Sequence, residues 1–544
     1  MFSMFESECQ GGHNLLAEKQ AYITLMGRSG WAVVNSFHAC VTETQYRPEK
    51  VVIVNETQYS IDVKPVIDGL RIIQASYAST NLQAIEVPDW DARASGRAIR
   101  ELVDSLRGQG YEIALDITGG RKALVSGALL SLREHPLEHV FYLAIDTTEG
   151  AAKPYYLIPK RIQRLFDIVT NEVRNENLQF GVETKETDLT MTKDCMMILL
   201  NQAFARGERI IVKSPLLGVD LVEIDPSTGS TLIRIDRETY EQSLSANRYE
   251  GMDHPTFSDF KRCLCYCGVL QFENAKELRE MVSANFAKAY DPASGLRRPV
   301  LSLDTNAFSS GVLSALEMLE NELGIRARDI PCVTAGEVIK EVRKAIHDKY
   351  REGAIRAARN HYESDAVRRL LDELIGQNML KTRSAKMAKS ELVRFMSRPV
   401  HIKTELAEMP ANHEQGDPLI VDSLAKFAKD KGVRIMLLSS DKQMLDQCDL
   451  AEDVGVMILR IPPKVPKSIK TDEQGFIRLL FGLALLYGVV ELGRVGYLFG
   501  EYRGKQSEVY SEEVKLRVIN ADRARILRER IEMCTQLKKL QIAR

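Results

Sequence analysis

Between residues 20 and 160, short apolar runs alternate with stretches in which apolar residues recur every three to four positions. The strand-length runs are Tyr22–Met26, Val51–Asn55, Ala84–Val87, Tyr111–Asp116 and His139–Ile145. Between them Trp31–Val41, Ile61–Tyr77, Ala92–Arg107 and Lys122–His135 carry the helical period. Parallel strands need crossover helices, and strands covered on both faces read as near-continuous apolar runs. The repeated strand–helix order therefore predicts a parallel sheet with helices on both sides.

The pattern changes after residue 160. Residues 161–298 read as an α+β connector. It has a helix from about Arg161 to Val173, strands at Arg209–Val212, Gly218–Ile224 and Ser230–Ile235, and helices at Phe257–Tyr266 and Ala275–Ala289. A Pro- and Gly-containing linker, Asp291–Pro299, precedes two buried strands, Val300–Leu303 and Ile435–Leu438, of a second α/β domain over 299–465. In the extension, 466–544, the most apolar stretch is Phe476–Leu498. Its charges Arg478, Glu491 and Arg494 argue against a membrane span and for a buried helix followed by a strand. Val514–Arg544 reads as one long helix.

Composition adds bounds. With 544 residues, 44% hydrophobic and 27% charged, the chain has material for several cores. The net charge of −2 gives no global basic field, so a polyanion track has to be regional. Residues 351–400 hold 11 Lys or Arg against six acids, and 514–544 nine against three. Such runs read equally as solvated helix faces and as phosphate-tracking surfaces. Nine Cys, an odd number, with no signal-like start to the chain, fit a reducing cytoplasm. Cys263, Cys265 and Cys267 alternate but lack the spacing and second ligand pair of a zinc site.

In an open parallel sheet, ligands sit beyond the carboxyl ends of the strands, where neighbouring connections diverge. The first strand runs into Gly27-Arg28-Ser29-Gly30 and a helix, and the fourth into Asp116-Ile117-Thr118-Gly119-Gly120-Arg121-Lys122 and another. Glycines allow backbone N–H groups to approach a phosphate, helix starts add partial positive charge, and Arg or Lys completes neutralisation. Taken singly, each loop also reads as an ordinary Gly-containing turn; together they favour an anionic ligand. Neither is a Walker A motif or a GxGxxG.

These two loops resemble those of the CRISPR-associated Rossmann fold (CARF) domain over roughly residues 20–160. The resemblance implies a dimeric sensor, residues 1–160, that binds a cyclic oligoadenylate across its axis. Gly27, Arg28 and Ser29 would contact the ring, and Thr118, Gly119, Gly120, Arg121 and Lys122 would hold phosphates. Asp116 would anchor the loop, while Asn55 and Glu56 would reach base or ribose. Trp31 reads as packing at the helix start in preference to stacking on adenine.

Further along, Asp304-Thr305-Asn306 follows an apolar strand, and Glu337 and Glu341 share a helical face. Gly416-Asp417 opens a helix, and Ser439-Ser440-Asp441 follows the Ile435–Leu438 strand. Each acid singly also reads as a cap or an ion-pair partner. Gathered, four carboxylates repel and call for a divalent cation.

Their order resembles the PIN nuclease domain over about 299–462. The resemblance implies Asp304, Glu341, Asp417 and Asp441 as catalytic acids holding Mg²⁺ or Mn²⁺, with Asn306 and Ser439 in support. Glu337 and Asp422 are the neighbouring alternatives. The long segment between Glu341 and Asp417 departs from a minimal domain. A metal held there would lower the pKa of water for in-line attack on phosphorus.

The combined expectation is a cytoplasmic, homodimeric accessory effector of type III CRISPR antiviral defence, with no membrane association. In it, a cyclic oligoadenylate switches on cleavage of single-stranded RNA by a metal-dependent endoribonuclease. Two alternatives remain: a non-catalytic, nucleotide-gated nucleic-acid-binding regulator, and a ring nuclease that degrades the cyclic ligand.

Overall fold

The computed structural model describes residues 19–57, 62–76, 81–88, 91–147, 150–249, 251–268, 275–286, 297–318, 320, 325–344, 348–405, 416–439, 456–460, 467–501 and 512–543. The chain is mixed α/β and divides into two units, Met1–Gln179 with Leu527–Arg544, and Phe180–Ile526.

In the first unit, β1 (Lys19–Met26), β2 (Lys50–Glu56), β3 (Asn81–Val87), β4 (Tyr111–Asp116) and β5 (His139–Ile145) alternate with α1 (Gly30–Glu43), α2 (Val63–Gln74), α3 (Ala92–Gly108) and α4 (Lys122–Ser131). The sheet order is β3-β2-β1-β4-β5, all parallel. It continues antiparallel into β6 (Gln163–Asp167) and β7 (Glu172–Arg174). This is the Rossmann-like layout that the alternating pattern predicts. Every residue from Ala21 to Met26 is buried, because β1 is central and covered on both faces. On one face Ala21, Ile23 and Leu25 pack with Ile99, Val103 and Leu106 of α3 and Leu124 and Ala128 of α4. On the other, Tyr22 meets Phe37 of α1 edge-on at 5.3 Å.

The expected helix at Arg161–Val173 is instead a short turn, Lys160–Ile162, followed by the β6–β7 hairpin. Gln163, Leu165 and Asp167 are buried while Arg164 is exposed, so the operative period is two, not 3.6.

The second unit holds two sheets. One is antiparallel: β8 (Thr184–Thr192), β9 (Ile210–Ser214), β10 (Val219–Asp225) and β11 (Ser230–Ile233) from the connector join four strands from the extension. The other contains β12 (Arg298–Leu303), β13 (Cys332–Thr334), β14 (His401–Lys403), β15 (Val433–Ser439) and β16 (Val456–Arg460), parallel, in the order β14-β13-β12-β15-β16. The extension's strands are β17 (Ser468–Lys470), β18 (Val489–Leu492), β19 (Gly496–Phe499) and β20 (Glu513–Asn520), and the antiparallel order is β17-β11-β10-β9-β18-β19-β20-β8. Connector and extension, separate in sequence, are thus one sheet.

The single helix expected over Val514–Arg544 is corrected by β20, with the helix confined to Ala521–Lys538. Val514, Leu516 and Val518 are buried and alternate with the charged side chains. Several cations of the basic run 514–544 are engaged in ion pairs. Lys515 pairs with Glu373 at 2.8 Å, Arg517 with Asp188 and Glu373 at 2.7 Å, and Arg523 with Glu208. Cys263, Cys265 and Cys267 are buried in and just after the helix Phe257–Tyr266, and burial pushes the Cys265 thiol up to about 12. They behave as small apolar groups. Among the described residues, no helix is long and apolar enough to cross a membrane.

Candidate functional site

The first candidate site is the switch point of the first sheet. From β1 the chain crosses to β2 on one side, and β4 lies on the other, so the β1–α1 and β4–α4 loops diverge at one end of the sheet. Asp116, fully buried at the end of β4, fixes both. Its Oδ2 accepts hydrogen bonds from Thr24 Oγ1 of β1 at 2.7 Å and Ser36 Oγ of α1 at 2.6 Å. Its Oδ1 accepts from the Thr118 backbone N–H at 3.0 Å and Thr118 Oγ1 at 2.6 Å. Burial raises the Asp116 pKa, and these donors oppose the rise. Thr118 Oγ1 also accepts from the Leu143 N–H at 2.9 Å, tying the loop to β5.

The glycines serve the contact between the loops. A Cβ on Gly27 would lie 2.3 Å from the Gly119 carbonyl oxygen, and one on Gly119 would lie 2.7 Å from that of Leu25. Gly27 is buried, Ser29, Gly119 and Gly120 are half-buried, and Arg28 and Lys122 are exposed, Lys122 as the first residue of α4. Neither α1 nor α4 has an acid in its first turn, and neither Ser29 nor Arg121 caps its helix by side chain. The first turn of α4 therefore supplies no carboxylate of its own against the positive end of the helix dipole. At the α1 start the expectation needs revision: the Gly30 and Trp31 N–H groups donate to the Ala543 carbonyl at 3.1 and 3.4 Å.

Asn55 and Glu56 end β2 and are buried. Glu56 pairs with Arg121 at 3.5 Å, so that arginine reaches any phosphate from an ion pair. Trp31 is buried, as packing requires. Thr24 and Ser36 are functional residues that the sequence does not single out; the only signal is a hydroxyl among the apolar residues at the end of β1 and another in the first half of α1.

The second candidate site is at the end of the parallel sheet in the second unit. Adjacent central strands β12 and β15 are in register through Leu303 and Leu438, which brings Asp304 and Ser439 side by side. Asp304, buried, caps the helix Thr305–Ser309, its Oδ1 accepting from the Ala307 N–H at 2.5 Å, and its Oδ2 accepts from Ser439 Oγ. Thr305 Oγ1 donates to Glu341 Oε2 at 2.5 Å, which joins the helix Gly336–Lys344 to the strand end. Thr305 was missed in sequence. Asn306 is half-buried on the same short helix, and Glu337 is buried one turn before Glu341.

Asp417 lies in the first turn of the helix Gly416–Lys431 and Asp422 is exposed on it; the Asp417 side chain and all of Asp441 lie outside the described residues. Among the described residues, no group of three or more His, Cys, Asp or Glu gathers as a metal site. The carboxylates and hydroxyls at this strand end are hard oxygen donors of the kind Mg²⁺ or Mn²⁺ accepts, and one or two protein carboxylates suffice for Mg²⁺ when substrate phosphate adds to them. A cavity of about 460 Å³ elsewhere in this unit shares no residue with this strand end, and its Arg394 and Lys193 are paired with Glu391 at 2.8 Å and Glu512 at 2.9 Å.

No known protein family matches the sequence. No curated protein matches it either. Among solved structures, a Vibrio cholerae protein, VC1899, aligns at 10% identity over 86% of this chain and 98% of its own, with a TM-score of 0.24. Can2 from Sulfobacillus thermosulfidooxidans, in complex with cyclic tetra-adenylate, aligns at 10% identity over 81% and 96%, with a TM-score of 0.22. Enterococcus italicus Csm6, bound to cyclic hexa-2′-fluoro-hexa-dAMP, aligns at 12% over 80% and 99%, with a TM-score of 0.22. Scores this low establish neither a shared family nor a shared activity.

Proposed function

We propose that the first unit binds a cyclic oligoadenylate at the two loops and that the second unit is a metal-dependent endoribonuclease. Together they would form an accessory effector of type III CRISPR antiviral defence. The observation that carries the sensing half is Asp116: one buried carboxylate, bonded to β1, α1 and its own loop, holds two basic glycine loops together at the switch point. The α4 start, Arg28 and Lys122 offer donors and positive charge to phosphates, and the loop residues resemble those of CARF domains. A cyclic ligand of repeated units suits a two-fold site, so the functional species is a homodimer.

For the catalytic half, the support is the strand-end pair Asp304–Ser439 and the Thr305–Glu341 bond. Asp304 and Glu341 would hold Mg²⁺ or Mn²⁺, with Asp417 and Asp441 completing the acids. When bound, that metal supplies a water of lowered pKa and neutralises charge on the phosphate. Ser439 and the Ala307 N–H keep the Asp304 carboxylate oriented, and Thr305 does the same for Glu341.

The deciding experiment incubates full-length protein and Asp304→Asn with labelled single-stranded RNA, Mn²⁺ or Mg²⁺, and each cyclic oligoadenylate. Ligand-dependent cleavage by the parent, lost in Asp304→Asn with ligand binding retained, is the expected result. No cleavage by the parent under any condition, with ligand bound, turns the assignment to the regulator.

A further inference from the structure

The α1 start is where the β1–α1 loop can present backbone N–H groups to an anion, and the fold has already filled it. The Ala543 carbonyl accepts from both Gly30 and Trp31, doing the work that Ser29 leaves undone. The segment is anchored by Ile542, which is 6% exposed. Its groove exists because two residues of α1 and α2 lack side chains. A Cβ on Gly30 would lie 3.0 Å from Ile542 Cγ2 and 2.7 Å from Val66 Cγ2, and one on Gly69 would lie 3.3 Å from Ile542 Cδ1. Leu537, fully buried on the last helix, sits 3.6 Å from the same Gly69 position. A branched apolar side chain is thus seated between two helices so that the next carbonyl lands on the end of α1.

A carbonyl is a neutral acceptor, whereas a phosphodiester shares one full negative charge over two oxygens and benefits more from the same dipole. Both cannot occupy the two N–H groups at once.

We propose that the segment 540–543 is a self-inhibitory strap, which an anionic nucleotide at the β1–α1 and β4–α4 loops must displace from the start of α1. This rests on the ligand reading above. Ligand binding then includes release of Ile542 from its groove, and the strap lowers apparent affinity by the fraction of time it is closed. If the strap is closed for roughly 90–99% of the time, removing it tightens binding roughly ten- to hundred-fold.

The test titrates full-length protein, a variant lacking residues 541–544, Ile542→Ala and Lys122→Ala with cyclic tetra-adenylate and cyclic hexa-adenylate by calorimetry, with thermal unfolding as a check on folding. Tighter binding in both strap variants, with weaker binding in Lys122→Ala, is the expected pattern. Unchanged or weaker binding in folded strap variants, with Lys122→Ala still weakened, overturns the strap and leaves the ligand site standing. Absence of binding in every protein removes the ligand reading and the strap together. Should the strap variants not fold, hydrogen exchange decides on the parent. Faster exchange at residues 540–543 on saturation with the ligand supports displacement, and unchanged exchange there overturns it.

Discussion

At Asp116 the chemistry of the site is carried by partners far away in sequence: Thr24 is 92 residues earlier and Ser36 is 80. The acid itself was legible, because a carboxylate closing an apolar strand before a Gly-rich turn has few other uses. Its partners were not, since a hydroxyl on an apolar strand carries no mark of what it bonds. The same holds for Thr305 and Glu341, 36 residues apart. His38 makes a testable case of a buried polar group without recompense. It is fully buried in α1 against Tyr155 and Tyr156, and neither ring nitrogen has a hydrogen-bond partner among the described residues. Burial first, then the charges of Arg530 and Lys160, lower its pKa to about 3. The folded value lies below the unfolded one of about 6.5, so the unfolded chain binds more protons between them. Stability from this group is complete above about pH 6.5 and is lost as pH falls toward 3, with about 2 kcal/mol gone by pH 5. Trp31 is buried in the first unit, so its fluorescence follows that unit's unfolding. His38→Leu should lose less stability than the parent between pH 7.5 and pH 5 in denaturant titrations. An equal loss in both would clear His38 of the acid sensitivity.

Elements were legible where one pattern dominated. Strands β4 and β5 coincide with their apolar runs, β1 and β3 start three residues before theirs, and β2 exceeds its run by one residue at each end. In the central strands β1 and β2, burial on both faces leaves no competing period. The reading failed where charged and apolar residues alternate over a short span, as in β6 and β20, because five to eight residues of period two also satisfy part of a helical pattern. The two loops would divide the labour of the proposed ligand site, and two substitutions separate their parts. Gly27→Ala places a Cβ 2.3 Å from the Gly119 carbonyl oxygen, so the two loops must part. It should lower both the fluorescence-detected melting temperature and the affinity for cyclic oligoadenylate. Lys122→Ala removes an exposed cation from the α4 start and should spare the melt. Losing a charged hydrogen-bond partner costs about 1.5–3 kcal/mol, or roughly ten- to hundred-fold in affinity. A Gly27→Ala protein that melts like the parent would show that the loops do not depend on that contact.

For the whole molecule, the sequence divides the chain at its linkers, whereas the structure divides it by shared sheets. The linker around residue 291 is a natural place to cut on composition, since a strand of the parallel sheet starts soon after it. Cutting there removes β8, β9, β10 and β11. In the order β17-β11-β10-β9-β18-β19-β20-β8, that strips β17 of its neighbour and leaves β18, β19 and β20 as a ribbon with both edges open. Exposed edges and an uncovered apolar face are aggregation sites, so a fragment beginning at residue 291 should be insoluble or molten. The unit Phe180–Ile526 keeps both sheets entire. Expressed alone, it should unfold cooperatively and, if the acids act as proposed, cleave RNA with Mn²⁺ at a rate that no cyclic oligoadenylate changes. By linkage, a ligand can alter activity only through a state it binds preferentially, and this fragment carries neither of the two loops proposed to bind it. A fragment that still responds to the ligand would place a second nucleotide site within residues 180–526, and a folded fragment inert toward RNA that the full-length protein cleaves would assign part of the catalytic machinery to the first unit.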